Sequence, residues 1–86
     1  METKDLLTVR AKTHGDYTEH ATITQQLKGV AASSPNNWSK LTYPQAESLD
    51  MIFHKIGRIL AGDPDFRDHW DDIAGYAKLV ADRCSK

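Results

Sequence analysis

The chain has 86 residues, a formal charge of -1 and one cysteine, Cys84. That length allows one small domain over residues 1–86, and a chain so short buries only roughly 60–65% of the surface it exposes when unfolded, so a homo-oligomer is expected. The mixed charges argue against a nucleic-acid binder, the lone cysteine excludes an internal disulfide, and no signal-type segment or bilayer-spanning apolar run is present, so the expectation is a cytoplasmic protein with no membrane contact.

Four helices and no strand are predicted. The first runs from about Thr3 to Thr13, with Leu6, Leu7 and Val9 in its body and Gly15 as its stop. Asp16 caps the second, with Glu19 at capping-box spacing and Ile23, Leu27 and Val30 at helical intervals, and this helix ends near Ala32. Ser33 to Lys40 reads as a loop from which Trp38 folds back onto the core. The third helix opens with Thr42 as N-cap, Pro44 and Gln45, carries Leu49, Ile52, Phe53, Ile56 and Leu60 on one face, and stops at Gly62. Asp63 is expected to cap the fourth with Pro64 at its first position, and Phe66, Trp70, Ile73, Ala74, Ala77, Val80 and Ala81 form its apolar stripe. The fold class is therefore all-α: a small four-helix arrangement whose C-terminal pair is an antiparallel hairpin, against which the N-terminal helices pack.

Candidate chemistry lies off these stripes. Lys55 and Arg58 on the third helix and Asp68 and Asp72 on the fourth can meet a phosphate, hold Mg²⁺, or pair with one another across the hairpin. Gly75, Tyr76 and Leu79 interrupt what would otherwise be a solvated face, which marks helix four for a contact with another subunit, a ligand or a neighbouring helix. Glu47, Asp50 and His54 follow one another along the polar side of the third helix, where they either converge on a cation or simply face solvent. The turn Lys12-Thr13-His14-Gly15-Asp16-Tyr17 offers backbone amides and positive charge to an anion, against which Asp16, as cap, already occupies amides. His20 and His69 read as surface histidines, since no zinc-type spacing includes them.

The order Arg10-x-Lys12-x-x-Gly15-Asp16-Tyr17, Lys55-x-x-Arg58 and Asp68-x-x-x-Asp72-Ile73-Ala74-Gly75-Tyr76-Ala77 resembles a small all-α family of unknown function carried by phages and prophages, over about Leu6 to Ala81. It is also similar to phage domains associated with nucleotide modification, and that likeness implies a nucleotide-linked role. More distantly it resembles the MazG-like all-α nucleoside triphosphate pyrophosphatases, which hold Mg²⁺ between paired helices. By that resemblance Glu47, Asp50 and Asp72 stand for metal ligands, with Mg²⁺ the one candidate cofactor. Ala46 stands where those enzymes carry an acidic residue, so one carboxylate of their first motif is absent.

Together these features lead to the expectation of a phage-type accessory protein that binds a nucleotide or related phosphate ligand. Lys12, Lys55 and Arg58 would meet phosphates, Asp68 and Asp72 would orient them or hold Mg²⁺, and Tyr76 would contact base or sugar. Two other classes stay open: a protein-interaction module that inhibits a host or defence protein, and a Mg-dependent pyrophosphatase.

Overall fold

A computed structural model describes residues 10–34 and 37–86, so the part of the first predicted helix that holds Leu6, Leu7 and Val9 lies outside the described residues. Every regular element in the described residues is helical: α1 (Tyr17–Ala32), a single 3₁₀ turn (Trp38–Lys40), α2 (Tyr43–Ala61) and α3 (Arg67–Ala81). Residues 10–14 are also helical, and they stop at Gly15, whose φ of 79° lies in the left-handed region that glycine enters without a Cβ clash.

Local chemistry sets most boundaries. The Asp16 carboxylate accepts from the Glu19 amide at 3.0 Å and opens α1. A reciprocal capping box opens α2: the Thr42 hydroxyl accepts from the Gln45 amide at 3.3 Å, and the Gln45 side-chain oxygen accepts from the Thr42 amide at 2.9 Å. Thr42→Ala is expected to lower stability by about 1 kcal/mol, read as a reduced urea midpoint at unchanged slope.

The start of α3 departs from the sequence reading. Asp63 does not cap it; the N-cap is Phe66, which supplies no side-chain hydrogen bond. The Asp63 amide donates instead to the Thr13 carbonyl at 3.1 Å, its carboxylate accepts from the Asp65 amide at 2.9 Å, and its carbonyl accepts from the Phe66 amide at 3.2 Å. Asp-Pro suits the first two positions of such a turn as well as it suits a helix start, and here the long-range bond to Thr13 decides for the turn.

α2 lies between the other two helices, and α1 and α3 scarcely meet. At 100° per residue, Asp50, His54 and Gly57 form one edge of α2, against α1, while Ser48, Lys55 and Ile59 form the opposite edge, against α3. Lys55 reaches Asp72, and Ser48 shares a groove with Val80, so α2 and α3 run antiparallel. The stripe Leu49, Ile52, Phe53, Ile56 and Leu60 points at right angles to both contacts, out of one face of this layer.

As expected, α1 packs against the hairpin, through α2. Among the described residues the apolar stripes are nevertheless only partly covered: Leu49, Ile52, Phe53 and Ile56 are half-buried, Leu60 is 62% exposed, Trp70 is 53% exposed with its indole N–H donating to the Pro64 carbonyl at 2.8 Å, and Ala74, Ala77 and Ala81 are exposed. Trp38 does fold back, stacking on Phe53 with ring centroids 6.5 Å apart. Among the described residues, Ile59 is the one buried apolar side chain.

α1 meets α2 through polar groups. Gly57 lets the helices approach so closely that a Cβ there would overlap the Thr24 hydroxyl and lie 2.6 Å from His20 Nδ1. Gly15 and Gly62 similarly press backbone on backbone, so that the Thr13 carbonyl accepts from both the Asp63 amide and His69 Nε2, the latter at 3.0 Å.

Candidate functional site: a basic face over buried histidines

Opposite the apolar stripe, α2 presents Glu47, Met51, Lys55 and Arg58. The six residues singled out for ligand binding do not form one constellation there. Lys55 Nζ lies 2.8 Å from the Asp72 carboxylate, and this contact, by hydrogen bond and charge, holds the Asp72 carboxyl below its usual range. Tyr76 lines a groove of about 230 Å³ with Pro44, Glu47, Leu79, Val80 and Arg83. Lys12 and Asp68 are exposed and take part in none of the ion pairs of the described residues.

Arg58 turns the other way, toward the start of α1. It lines a cleft of about 310 Å³ with Arg10, Ala11, His14, Gly15, Asp16 and Tyr17. Burial lowers the proton affinity of its guanidinium, the charge of Arg10 lowers it further, and the Tyr17 hydroxyl acts in the opposite sense. The ion pairs among the described residues use Lys28, Lys55, Arg67 and Lys78, and none uses Arg10 or Arg58. Asp16 borders the cleft, but its carboxylate is engaged as the α1 cap. Arg10 was not among the expected ligand residues. Its signal in the sequence was its place five residues before Gly15, which the turn-centred reading assigned to Lys12 instead.

Around this cleft stand the four histidines of the chain: His14 lines it and His54 is half-buried, while His20 and His69 are buried, contrary to the surface placement expected for them. His69 is 1% and His20 2% exposed. They form two edge-on pairs, His14 with His69 at 4.8 Å and His20 with His54 at 4.5 Å between ring centroids. A carbonyl only accepts, so the His69 Nε2 facing Thr13 carries the proton. His20 Nδ1 and the Thr24 hydroxyl are buried without a hydrogen-bond partner. Burial first, then nearby cations or a neighbouring histidine, lowers the pKa of His14, His20 and His54, that of His54 from 6.5 to about 4. These three are therefore neutral at pH 7. The pattern was hidden from sequence because each imidazole is a short polar side chain whose neighbours are set by glycine contacts distant in the chain.

The acidic residues do not gather into a Mg²⁺ site as placed. Asp50 lies 4.0 Å from Lys28, Asp72 is held by Lys55, and among the described residues no three carboxylate, imidazole or thiolate side chains converge as a metal site would require.

The fold and this face define a small all-α protein with a cationic, arginine-lined cleft. Comparison of the chain with protein-family models, with curated proteins and with solved structures gave no match.

Proposed function

We propose that the protein binds a phosphate-bearing small molecule of the nucleotide class in the Arg10–Arg58 cleft, as a phage-type accessory protein acting in the cytoplasm of a bacterial host. One observation carries the reading: two guanidiniums border the same partly enclosed space, neither ion-paired within the described residues. The two guanidiniums outnumber the Asp16 carboxylate on the border of the cleft, which leaves it net positive and favourable to an anion, and the planar forks of arginine match phosphate oxygens bidentately. His14, neutral at pH 7, adds hydrogen-bonding capacity without further charge repulsion. Tyr17, 71% exposed at the rim, offers a ring on which a base can stack. The nucleotide part of the proposal rests on the resemblance to phage domains linked to nucleotide modification; the phosphate part rests on the cleft. Lys55, paired with Asp72, lies outside the lining of the cleft, and its charge adds to the positive potential that His14, His20 and His54 experience.

Thermal shift with inorganic phosphate, pyrophosphate and nucleoside mono-, di- and triphosphates tests this. Ligand at about 100 times its Kd should stabilise the native state by about 2.7 kcal/mol. Arg58→Gln is expected to keep the fold and lose that stabilisation, whereas Lys12→Gln should leave most of it, since Lys12 does not line the cleft. Equal stabilisation of the wild type and the Arg58→Gln protein would sink the proposal.

A further inference from the structure

Resting on the phosphate reading above, we infer that the Arg10–Arg58 cleft selects a doubly charged terminal phosphate over a singly charged diester, and that His14 makes the selection by taking up a proton as the ligand enters. His14 lines the cleft, and its tautomer follows from its neighbour. The Thr13 hydroxyl has one hydrogen and two contacts, the Arg10 carbonyl at 3.3 Å and His14 Nδ1. A carbonyl only accepts, so both contacts are made only when the hydroxyl donates to Arg10 and accepts from Nδ1. Neutral His14 then carries its proton on Nδ1 and a bare lone pair on Nε2. Among the described residues no hydrogen bond uses that nitrogen, and it is not one of the buried polar atoms left without a partner, so it is open to solvent or to a ligand. An ionised phosphate oxygen also offers only lone pairs. Two acceptors meet favourably only around an added proton.

The charges around His14 set when that proton arrives. Arg10 and Asp16 stand near it on its own segment, Tyr17 at the start of α1, Lys55 and Arg58 on α2, and His69 on α3, with Lys55 paired to Asp72. In the free protein, burial and these cations keep His14 neutral. An anion between the two guanidiniums cancels part of their repulsion and adds an attraction of its own, so it favours the charged imidazole. With His14 neutral, two arginines and the Asp16 carboxylate give the border of the cleft one net positive charge, and protonation makes it two. A phosphodiester, with one negative charge, is balanced by the first state. A terminal phosphate monoester, close to doubly charged at pH 7, is balanced only by the second, in which Nε2–H also donates a charge-assisted hydrogen bond. Because the proton comes from solvent, binding of a dianion tightens as pH falls from about 8 toward 7, by at most about tenfold per pH unit for one proton.

The experiment follows the His14 Cε1–H resonance of the labelled full chain through pH, in sodium sulfate and in sodium chloride of equal ionic strength. Sulfate stays a tetrahedral dianion throughout, so any added proton belongs to the protein, and matched ionic strength removes general screening. The His14 midpoint is expected to move upward in sulfate, and that of His54, which does not line the cleft, to move less. Calorimetry at pH 7 then compares adenosine 5′-monophosphate with its 3′,5′-cyclic diester, which share a base and differ in phosphate charge. The monoester is expected to bind the wild type about tenfold more tightly, and His14→Gln to bring the two within about twofold of each other. Nucleotide binding with a His14 midpoint equal in sulfate and chloride would overturn the inference and spare the ligand reading. So would equal affinity of the wild type for both nucleotides, or a monoester preference that survives His14→Gln. Binding of none of these probes would instead overturn the ligand reading, and this inference with it. Should His14→Gln fail to fold, the wild-type midpoints and the wild-type preference still decide.

Discussion

Gly15→Ala is expected to destabilise the protein by about 3 kcal/mol, which for a chain of this size is a fall in Tm of roughly 15–20 °C. Two effects add. The left-handed φ of 79° penalises any Cβ by about 1–2 kcal/mol. The Cβ would also overlap the Ala61 carbonyl, and because that obstacle is backbone, no rotamer change relieves it. The residues before Gly15 must then move away from the α2–α3 junction, weakening the bonds that the Thr13 carbonyl accepts from Asp63 and His69. Gly29→Ala is the control. Nothing lies near a Cβ at that position inside α1, and alanine there should stabilise by about 0.5–1 kcal/mol through helix propensity alone. Opposite signs for one chemical change, measured by urea denaturation, would establish that the left-handed turn and close backbone contact at Gly15 hold the 10–16 segment in place; two small shifts of the same sign would count against it.

The helices were legible because their punctuation is local: Thr42 with Gln45, Asp16 with Glu19, and the stops at Gly15 and Gly62 all act within a few residues. The start of α3 was misread because its deciding interaction, the Asp63 amide on the Thr13 carbonyl, spans fifty residues. The apolar stripes are legible as residues but their depth is not, since periodicity shows which face is apolar and not what covers it: Leu49, Ile52, Phe53 and Ile56 are half-buried while Leu60 and Trp70 are exposed. For the candidate site, Arg58 was visible as an off-stripe cation, yet its association with Arg10 in place of Lys55 follows from which edge of α2 each neighbour occupies. Burial of His20 escaped notice for a related reason. Only the missing side chain of Gly57 makes room for it, and nothing in the spacing of the two residues announces that they meet.

Acid is expected to begin destabilising the protein above the range in which ordinary carboxylates titrate. His14, His20 and His54 sit in the folded chain with pKa values below the 6.5 of an exposed imidazole, so between that value and the folded pKa the unfolded state binds more protons than the native one. Stability is then complete above about pH 6.5 and falls as pH drops toward the value of about 4 that holds for His54. His54 alone should contribute a loss on the order of 2 kcal/mol by pH 4, after discounting for its incomplete burial. His20 adds to this in the same direction: burial disfavours its charged form, and protonating it places a charge near the cations Arg58 and Lys55. The carboxyl of Asp72 is held below its usual range by Lys55, so loss of that pair belongs to more acidic solution and does not overlap the histidine window. Urea midpoints measured at pH 7.5, 6, 5 and 4 should therefore decline steadily across the series. His54→Leu should flatten part of the decline while Asp72→Asn leaves it as steep as before. A midpoint that holds constant from pH 7.5 to 4.5 would mean that the imidazoles accept protons as readily in the fold as in the unfolded chain, and that the cations above them are too well solvated to matter.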